Sequence, residues 1–282
     1  MKKYFFTLAG LNCALCTPDK ITISENLRPF LQDAQENTDC TIVLKTAPTL
    51  PQFCDGGAWH GFAYYDRHNT TARIFHCIAQ KTPAFALTQI FENGNIEISV
   101  LPEYLSYFTG SSGIFNRIGL ETLLLQHRTL LLHASLIKYK DKTIAFAGPS
   151  GIGKSTQAAL WHEYLGADIL NGDRTALRRT SDCYYAYGCP YAGTSGIYKN
   201  DSAPLCAIVV LRQAKQNRIT RIRPVEAFSY LYPELSIHSW DKDFVAQSTD
   251  LLLQLLSDIP VYLLECVADE SAVVLTKKGI GL

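Results

Sequence analysis

A run near the middle of the chain, Gly148-Pro149-Ser150-Gly151-Ile152-Gly153-Lys154-Ser155-Thr156, restricts the fold more than any other stretch because it matches the pattern G-x-x-x-x-G-K-[ST]. Such a loop bends tightly enough for successive backbone N–H groups to point at one anion, and its bends call for residues without a Cβ. It also requires a strand leading in and a helix leading out. Lys142-Thr143-Ile144-Ala145-Phe146-Ala147 is a short β-prone apolar run, and residues 155–165 place Ala158, Ala159, Leu160, Trp161 and Leu165 on a broad helical stripe. The pattern therefore predicts a strand, a phosphate-binding loop and a helix. Gly148, Ser150, Gly151, Ile152, Gly153, Lys154, Ser155 and Thr156 form the expected nucleotide-binding set, with Lys154 reaching the terminal phosphates and the Ser155 hydroxyl a ligand for Mg²⁺.

The strand pattern around the loop narrows the topology. Residues 129–139 (TLLLHASLIKY) and 143–147 read as two strands joined at Lys140-Asp141-Lys142, an antiparallel hairpin feeding straight into the loop. Phosphate-loop enzymes with a wholly parallel sheet put a helix between successive strands, so this chain departs from that group. Downstream, strands are expected at 176–178, 184–187, 207–211 and 261–266, with helices near 225–232, 244–256 and 271–277. Upstream, short β-prone runs at 4–8, 41–44, 62–65, 72–78 and 96–101 alternate with turns such as Asp55-Gly56-Gly57 and Asn93-Gly94-Asn95. Between 102 and 126 the period lengthens, and Ile114, Phe115, Ile118, Leu120, Leu123 and Leu124 fit an amphipathic helix. A smaller β-rich α+β domain is expected over residues 1–110, followed by the loop-bearing domain over 111–282.

A phosphate loop also needs a carboxylate to complete the metal shell, ordinarily at a strand end. Asp173 closes the short apolar stretch Ala167-Asp168-Ile169-Leu170-Asn171-Gly172-Asp173, whereas the strong run Ala207-Ile208-Val209-Val210-Leu211 ends in Arg212-Gln213, which cannot hold a divalent cation. Ser155 and Asp173 are thus the expected metal ligands. A second segment rich in glycine and aromatics, residues 187–200, offers Tyr191, Thr194, Ser195 and Lys199 to an acceptor or a phosphate.

Composition excludes several classes of partner. The 282 residues carry 26 Lys plus Arg against 26 Asp plus Glu without a dense basic cluster, so neither nucleic acid nor an anionic membrane is an expected partner. No stretch approaches the ~18 uninterrupted apolar residues of a membrane span. The start, Met1-Lys2-Lys3 followed by YFFTLAGL, reads as a buried strand rather than a secretory signal, since no small-residue cleavage site follows. Nine cysteines scattered through the chain form no compact disulfide framework, which points to a reducing cytoplasm. Cys13-Ala14-Leu15-Cys16 is a single CxxC without a second pair, and His60, His68 and His76 lack a neighbouring carboxylate pattern, so neither reads as a metal site.

Three linked motifs carry a family resemblance. His133 within Leu132-His133-Ala134-Ser135 on the strand before the loop, the loop GPSGIGKST itself, and the acidic strand end Asp173-Arg174 together resemble the catalytic domain of HPr kinase/phosphorylase. That domain is related in fold to the phosphoenolpyruvate carboxykinases. The resemblance spans residues from about 130 onward and implies an α/β phosphate-loop domain with a mixed sheet, ATP and Mg²⁺ as cofactors, and transfer of the γ-phosphoryl group to a hydroxyl. It also implies His133, Lys154, Asp173 and Arg174 as the catalytic set. In that family the strand end carries two adjacent aspartates, the first a base for the acceptor hydroxyl and the second a metal ligand; here the pair is Gly172-Asp173. Glycine cannot accept a proton. His133 or Asp168 could serve as base, or the acceptor could need none. The expected acceptor is a hydroxyl, foremost serine, of a protein, peptide or small molecule, and self-association into a homo-oligomer is left open. The alternative is a nucleotide-binding sensor or scaffold in which Gly172 marks lost transfer.

Overall fold

Short β-prone runs separated by glycine and asparagine turns build a first sheet, and a hairpin feeding the glycine-rich loop organises a second. The computed structural model describes residues 1–109, 114–191 and 193–282. They fall into two compact units, Met1–His127 with His238–Lys242, and Arg128–Ile237 with Asp243–Leu282. The domain boundary expected between residues 110 and 111 lies outside the described residues.

The first unit holds β1 (Lys2–Leu8), β2 (Leu11–Thr17), β3 (Leu31–Gln32), β4 (Cys40–Thr46), β5 (Ala58–His60), β6 (Ala63–His68), β7 (Thr71–Cys77), β8 (Ala84–Ile90), β9 (Ile96–Val100) and α1 (Leu120–Gln126). They form one sheet in the order β3-β1-β2-β4-β9-β8-β7-β6-β5. β2 with β4 and β4 with β9 are parallel, while the meander from β9 through β5 is antiparallel. Phe6, Leu15, Phe30, Ile42, Phe75 and Ile98 are fully buried within this unit. The long amphipathic helix expected across 114–124 does not form. 3₁₀ segments at Pro102–Phe108 and Phe115–Arg117 precede α1, which begins only after Gly119. Gly119 sits at φ +71, and a Cβ there would lie 2.5 Å from the Ile74 Cδ1, so the left-handed turn that seats the chain against β7 also interrupts the helix.

The second unit holds β10 (Thr129–Tyr139), β11 (Lys142–Ala147), α2 (Lys154–Leu165), β12 (Asp168–Asn171), β13 (Arg174–Arg179), β14 (Tyr184–Gly188), β15 (Ser202–Gln213), β16 (Arg218–Arg221), α3 (Pro224–Leu231), α4 (Lys242–Asp258), β17 (Val261–Cys266) and α5 (Glu270–Gly279). The sheet runs β11-β10-β13-β14-β15-β17-β16, with β12 also on β10 and β11 also on β15. It is mixed: β10 and β11 are an antiparallel hairpin closed by Lys140 at φ +55, while β11 with β15 and β15 with β17 are parallel. β10 divides its partners along its length, pairing β13 through residues 129–133 and β11 through 134–139. His133 lies at that fork. Ile144, Phe146 and Val209 from the sheet meet Ala158 and Trp161 of α2 and Val273 of α5 in a fully buried cluster, which fixes where α2 starts and hence where the loop before it opens.

Candidate functional site

The loop between β11 and α2 takes the backbone conformation its glycines permit. Gly151 and Gly153 sit at φ +78 and +115 with nothing within 4 Å of a notional Cβ, so one side of the loop is bare backbone facing open space. Lys154, the first residue of α2, is only 7% exposed and folds back over the loop, its Nζ donating to the Gly148 and Pro149 carbonyl oxygens at 2.7 and 3.1 Å. Burial pushes the Lys154 pKa down, opposed by the negative charges of Glu234 and Asp173. An ammonium in that position gains by meeting an anion. Ser155 and Thr156 follow with exposed side chains at the N-terminus of the helix, its positive end.

The acidic strand end is built by a buried asparagine. Asn171 is fully buried; its Oδ1 accepts from the Asp173 and Arg174 backbone N–H groups at 2.8 and 2.9 Å, and its Nδ2 donates to the Cys189 and Tyr191 carbonyls. Asn171 thereby does the turn-shaping, and the Asp173 side chain, 29% exposed, is not used for it. The pairing of His133 with Arg174 across β10 and β13 sets the histidine beside this turn. His133 Nε2 lies 3.8 Å from Asp173 Oδ1, and Arg174 Nε lies 3.8 Å from Asp173 Oδ2. Arg174 also donates from Nη1 to Ser236 Oγ at 2.8 Å and covers the Tyr191 ring at 5.4 Å.

The structure therefore brings His133, Asp173 and Arg174 into one cluster, and of these the Asp173 carboxylate, with Glu234, acts electrostatically on Lys154. It separates Asp168 from them. Asp168 stands at the opposite end of β12 and forms an ion pair with Lys199, which leaves both engaged away from Asp173. Sequence reasoning missed Glu234. Its Oε2 lies 2.9 Å from His133 Nδ1, and it sits in the one-turn Tyr232–Glu234 segment after α3. The chain is joined to β10 there by a bridge between Leu132 and Leu235, a long-range pairing that no local pattern announces.

The second glycine-rich segment packs on the same turn; Ala192 within it lies outside the described residues. Gly172 N–H donates to the Ile197 carbonyl, Asn171 bridges to Tyr198, and a Cβ on Gly193 would stand 2.8 Å from the Asp173 Cβ. Gly151, Thr156 and Gln157 with Leu211, Gln213 and Val267 line a cavity of about 360 Å³. Gln157 is 2% exposed; its Nε2 contacts the Cys266 Sγ at 3.4 Å, and its Oε1 has no hydrogen-bond partner.

The remaining candidates lead elsewhere. All cysteines are free thiols, and Cys13 and Cys16, three apart on β2, point to opposite faces of the sheet. Cys13 instead neighbours Cys40, which with burial pushes its thiol pKa upward and keeps it protonated. Among the described residues no group of three or more His, Cys, Asp or Glu side chains could hold a metal ion, and no helix is long and apolar enough to cross a membrane. No family model and no curated protein matches the chain. Among solved structures, the chain is similar to the Hpr(Ser) kinase/phosphatase from Coxiella burnetii at 12% identity and a TM-score of 0.32, over 53% of this chain and 95% of that one. At that level the likeness assigns neither fold nor activity.

Proposed function

We propose that the chain is an ATP-dependent kinase that transfers the γ-phosphoryl group to a hydroxyl, foremost serine, of a protein, peptide or small molecule, with residues 111–282 as its catalytic part. The observation that carries this reading is the gathering of His133, Asp173 and Arg174 at one point, with the negative charges of Glu234 and Asp173 acting on Lys154 of the glycine loop. The residues fit ATP and Mg²⁺. A bare glycine loop with a buried lysine at the head of a helix suits a triphosphate. A single carboxylate suffices for magnesium, which is commonly held by one or two carboxylates together with substrate phosphates.

The Ser155 hydroxyl and the Asp173 carboxylate would hold Mg²⁺, whose chemistry when bound would be charge neutralisation at the phosphate oxygens. Lys154 exchanges its two loop carbonyls for phosphate oxygens and regains the favourable setting that burial denies it. Arg174, held by Ser236 and Tyr191, stands ready to offset charge on the transferring group. His133, with Nε2 toward Asp173, is the side chain placed to take a proton from the acceptor. The cavity beside Gly151 and Thr156 offers room for the base and sugar of the nucleotide.

A sensor that binds ATP without transferring phosphate is the second reading, favoured by Gly172 where the family's base would stand. Incubation with γ-labelled ATP and Mg²⁺, alone, with free serine and with cell extract, separates the two. Label on an acceptor that disappears in both Lys154→Ala and Asp173→Asn supports the kinase, and tight ATP binding with no transfer under any condition refutes it.

A further inference from the structure

We propose that Glu234 is a positioning residue for this site: it holds His133 in the tautomer protonated on Nδ1, so that Nε2 presents a lone pair beside Asp173. The inference rests on reading the site as one of phosphoryl transfer. Glu234 is 10% exposed, and its Oε2 lies 2.9 Å from His133 Nδ1. An ionised carboxylate only accepts hydrogen bonds, so Nδ1 must supply the proton. In neutral imidazole the other nitrogen is then unprotonated. Asp173 Oδ1, at 3.8 Å, is beyond hydrogen-bond distance of Nε2 and does not occupy it.

The segment carrying Glu234 is itself anchored. Leu235 bridges to Leu132, and the Ser236 N–H donates to the Leu131 carbonyl at 3.0 Å, which locks residues 234–236 along β10 just before His133. Ser236 Oγ also receives Arg174 Nη1. One short stretch thus orients both side chains that flank Asp173. The carboxylate missing at Gly172 is replaced at one remove, acting through an imidazole instead of directly.

The step balances. The acceptor oxygen bonds to the γ-phosphorus as the bond from that phosphorus to the β,γ-bridging oxygen breaks, and ADP departs with the bond's electron pair. The acceptor's proton passes to His133 Nε2, and the imidazolium stays hydrogen-bonded to Glu234 through Nδ1 until it returns the proton to solvent.

Nitrogen-15 spectra of the histidine side chains in the full chain test this directly, with the His133 signals identified by their loss in His133→Ala. The wild type should show the Nδ1–H tautomer, Glu234→Gln should keep it because its amide oxygen still accepts, and Glu234→Ala should shift it toward Nε2–H. In the labelled-ATP assay Glu234→Ala should lower kcat about 10–100-fold with the KM for ATP within about twofold, and Glu234→Gln should recover most of the loss. The double variant Glu234→Ala/His133→Ala should be no slower than His133→Ala alone. An Nε2–H tautomer in the wild type, or losses that add in the double variant, would overturn the proposal. If the wild type transfers no label to any acceptor the kinase reading fails, and the spectra still decide whether Glu234 orients His133.

Discussion

In the first unit Asp66 and Arg73 oppose each other across β6 and β7 with 1% and 6% of their side chains exposed, whereas in the second the Asp173 carboxylate is 29% exposed with His133 and Arg174 each 3.8 Å away. The first cluster is closed. Asp66 takes Arg73 Nε and Nη2 at 2.6 and 2.7 Å and the Cys54 backbone N–H at 2.6 Å, and the guanidinium covers the Phe75 ring. The second cluster has groups close enough to influence one another but too far apart to satisfy one another, beside a loop of bare backbone. Matched polar groups in a core hold a fold, and unmatched ones at an opening leave capacity for a ligand.

The largest expected effect breaks the closed cluster. Arg73→Met leaves the Asp66 carboxylate buried without its partner and should cost about 3–5 kcal/mol of stability, read from denaturant unfolding of the full chain. Asp173→Asn, at a half-exposed position, should cost less than about 1 kcal/mol in the same experiment while abolishing label transfer. Comparable losses of stability in the two variants would erase the distinction between the clusters.

Two glycines sharpen it at a smaller scale, because both have positive φ and differ in how closely their surroundings approach. A Cβ on Gly119 would meet the Ile74 and Ile90 Cδ1 atoms at 2.5 and 2.8 Å, while one on Gly151 meets nothing within 4 Å. Gly119→Ala should destabilise by about 2–4 kcal/mol, combining left-handed strain with overpacking. Gly151→Ala should carry only the strain, about 1–2 kcal/mol, and should weaken ATP binding, measured calorimetrically. A Gly119→Ala chain as stable as Gly151→Ala would show that the packing around Gly119 yields easily.

What the sequence revealed follows the same division. The hairpin of β10 and β11, the loop and α2 were legible because each is specified by neighbours within a few residues: alternation, a turn, glycines and a helical stripe. β2 and β8 were not anticipated, since their burial patterns are nearly continuous and lack the alternation that marks a strand with one wet face. The helix expected over 114–124 failed on a tertiary cause, the contact of Gly119 with Ile74 and Ile90. At the candidate site, His133, Lys154 and Asp173 could be read from motifs. Glu234 could not, because only the bridge between Leu132 and Leu235 brings it to His133 from a hundred residues away in sequence.

The histidines offer the most graded test of the comparison. His76 is enclosed in the first unit, its Nε2 3.0 Å from Thr88 Oγ1, and Thr88 in turn donates to the Arg117 carbonyl. Thr88 has only one proton, so His76 Nε2 must be the donor between them. Burial, with the Arg117 charge as a lesser cause, pushes its pKa down to about 3. In the unfolded chain a histidine takes up a proton near pH 6.5, so below that pH the unfolded state binds more protons and stability falls as pH falls, until the folded pKa is reached. The loss should amount to about 2 kcal/mol by pH 5 relative to neutral pH. His76→Gln keeps a donor for Thr88 and cannot titrate in this range, so its stability should decline by about that much less over the same interval, as followed by denaturant midpoints at fixed temperature. Parallel curves for the two proteins would mean that His76 is protonated in place, and the first unit would then tolerate in its core the open chemistry that the second keeps at its surface.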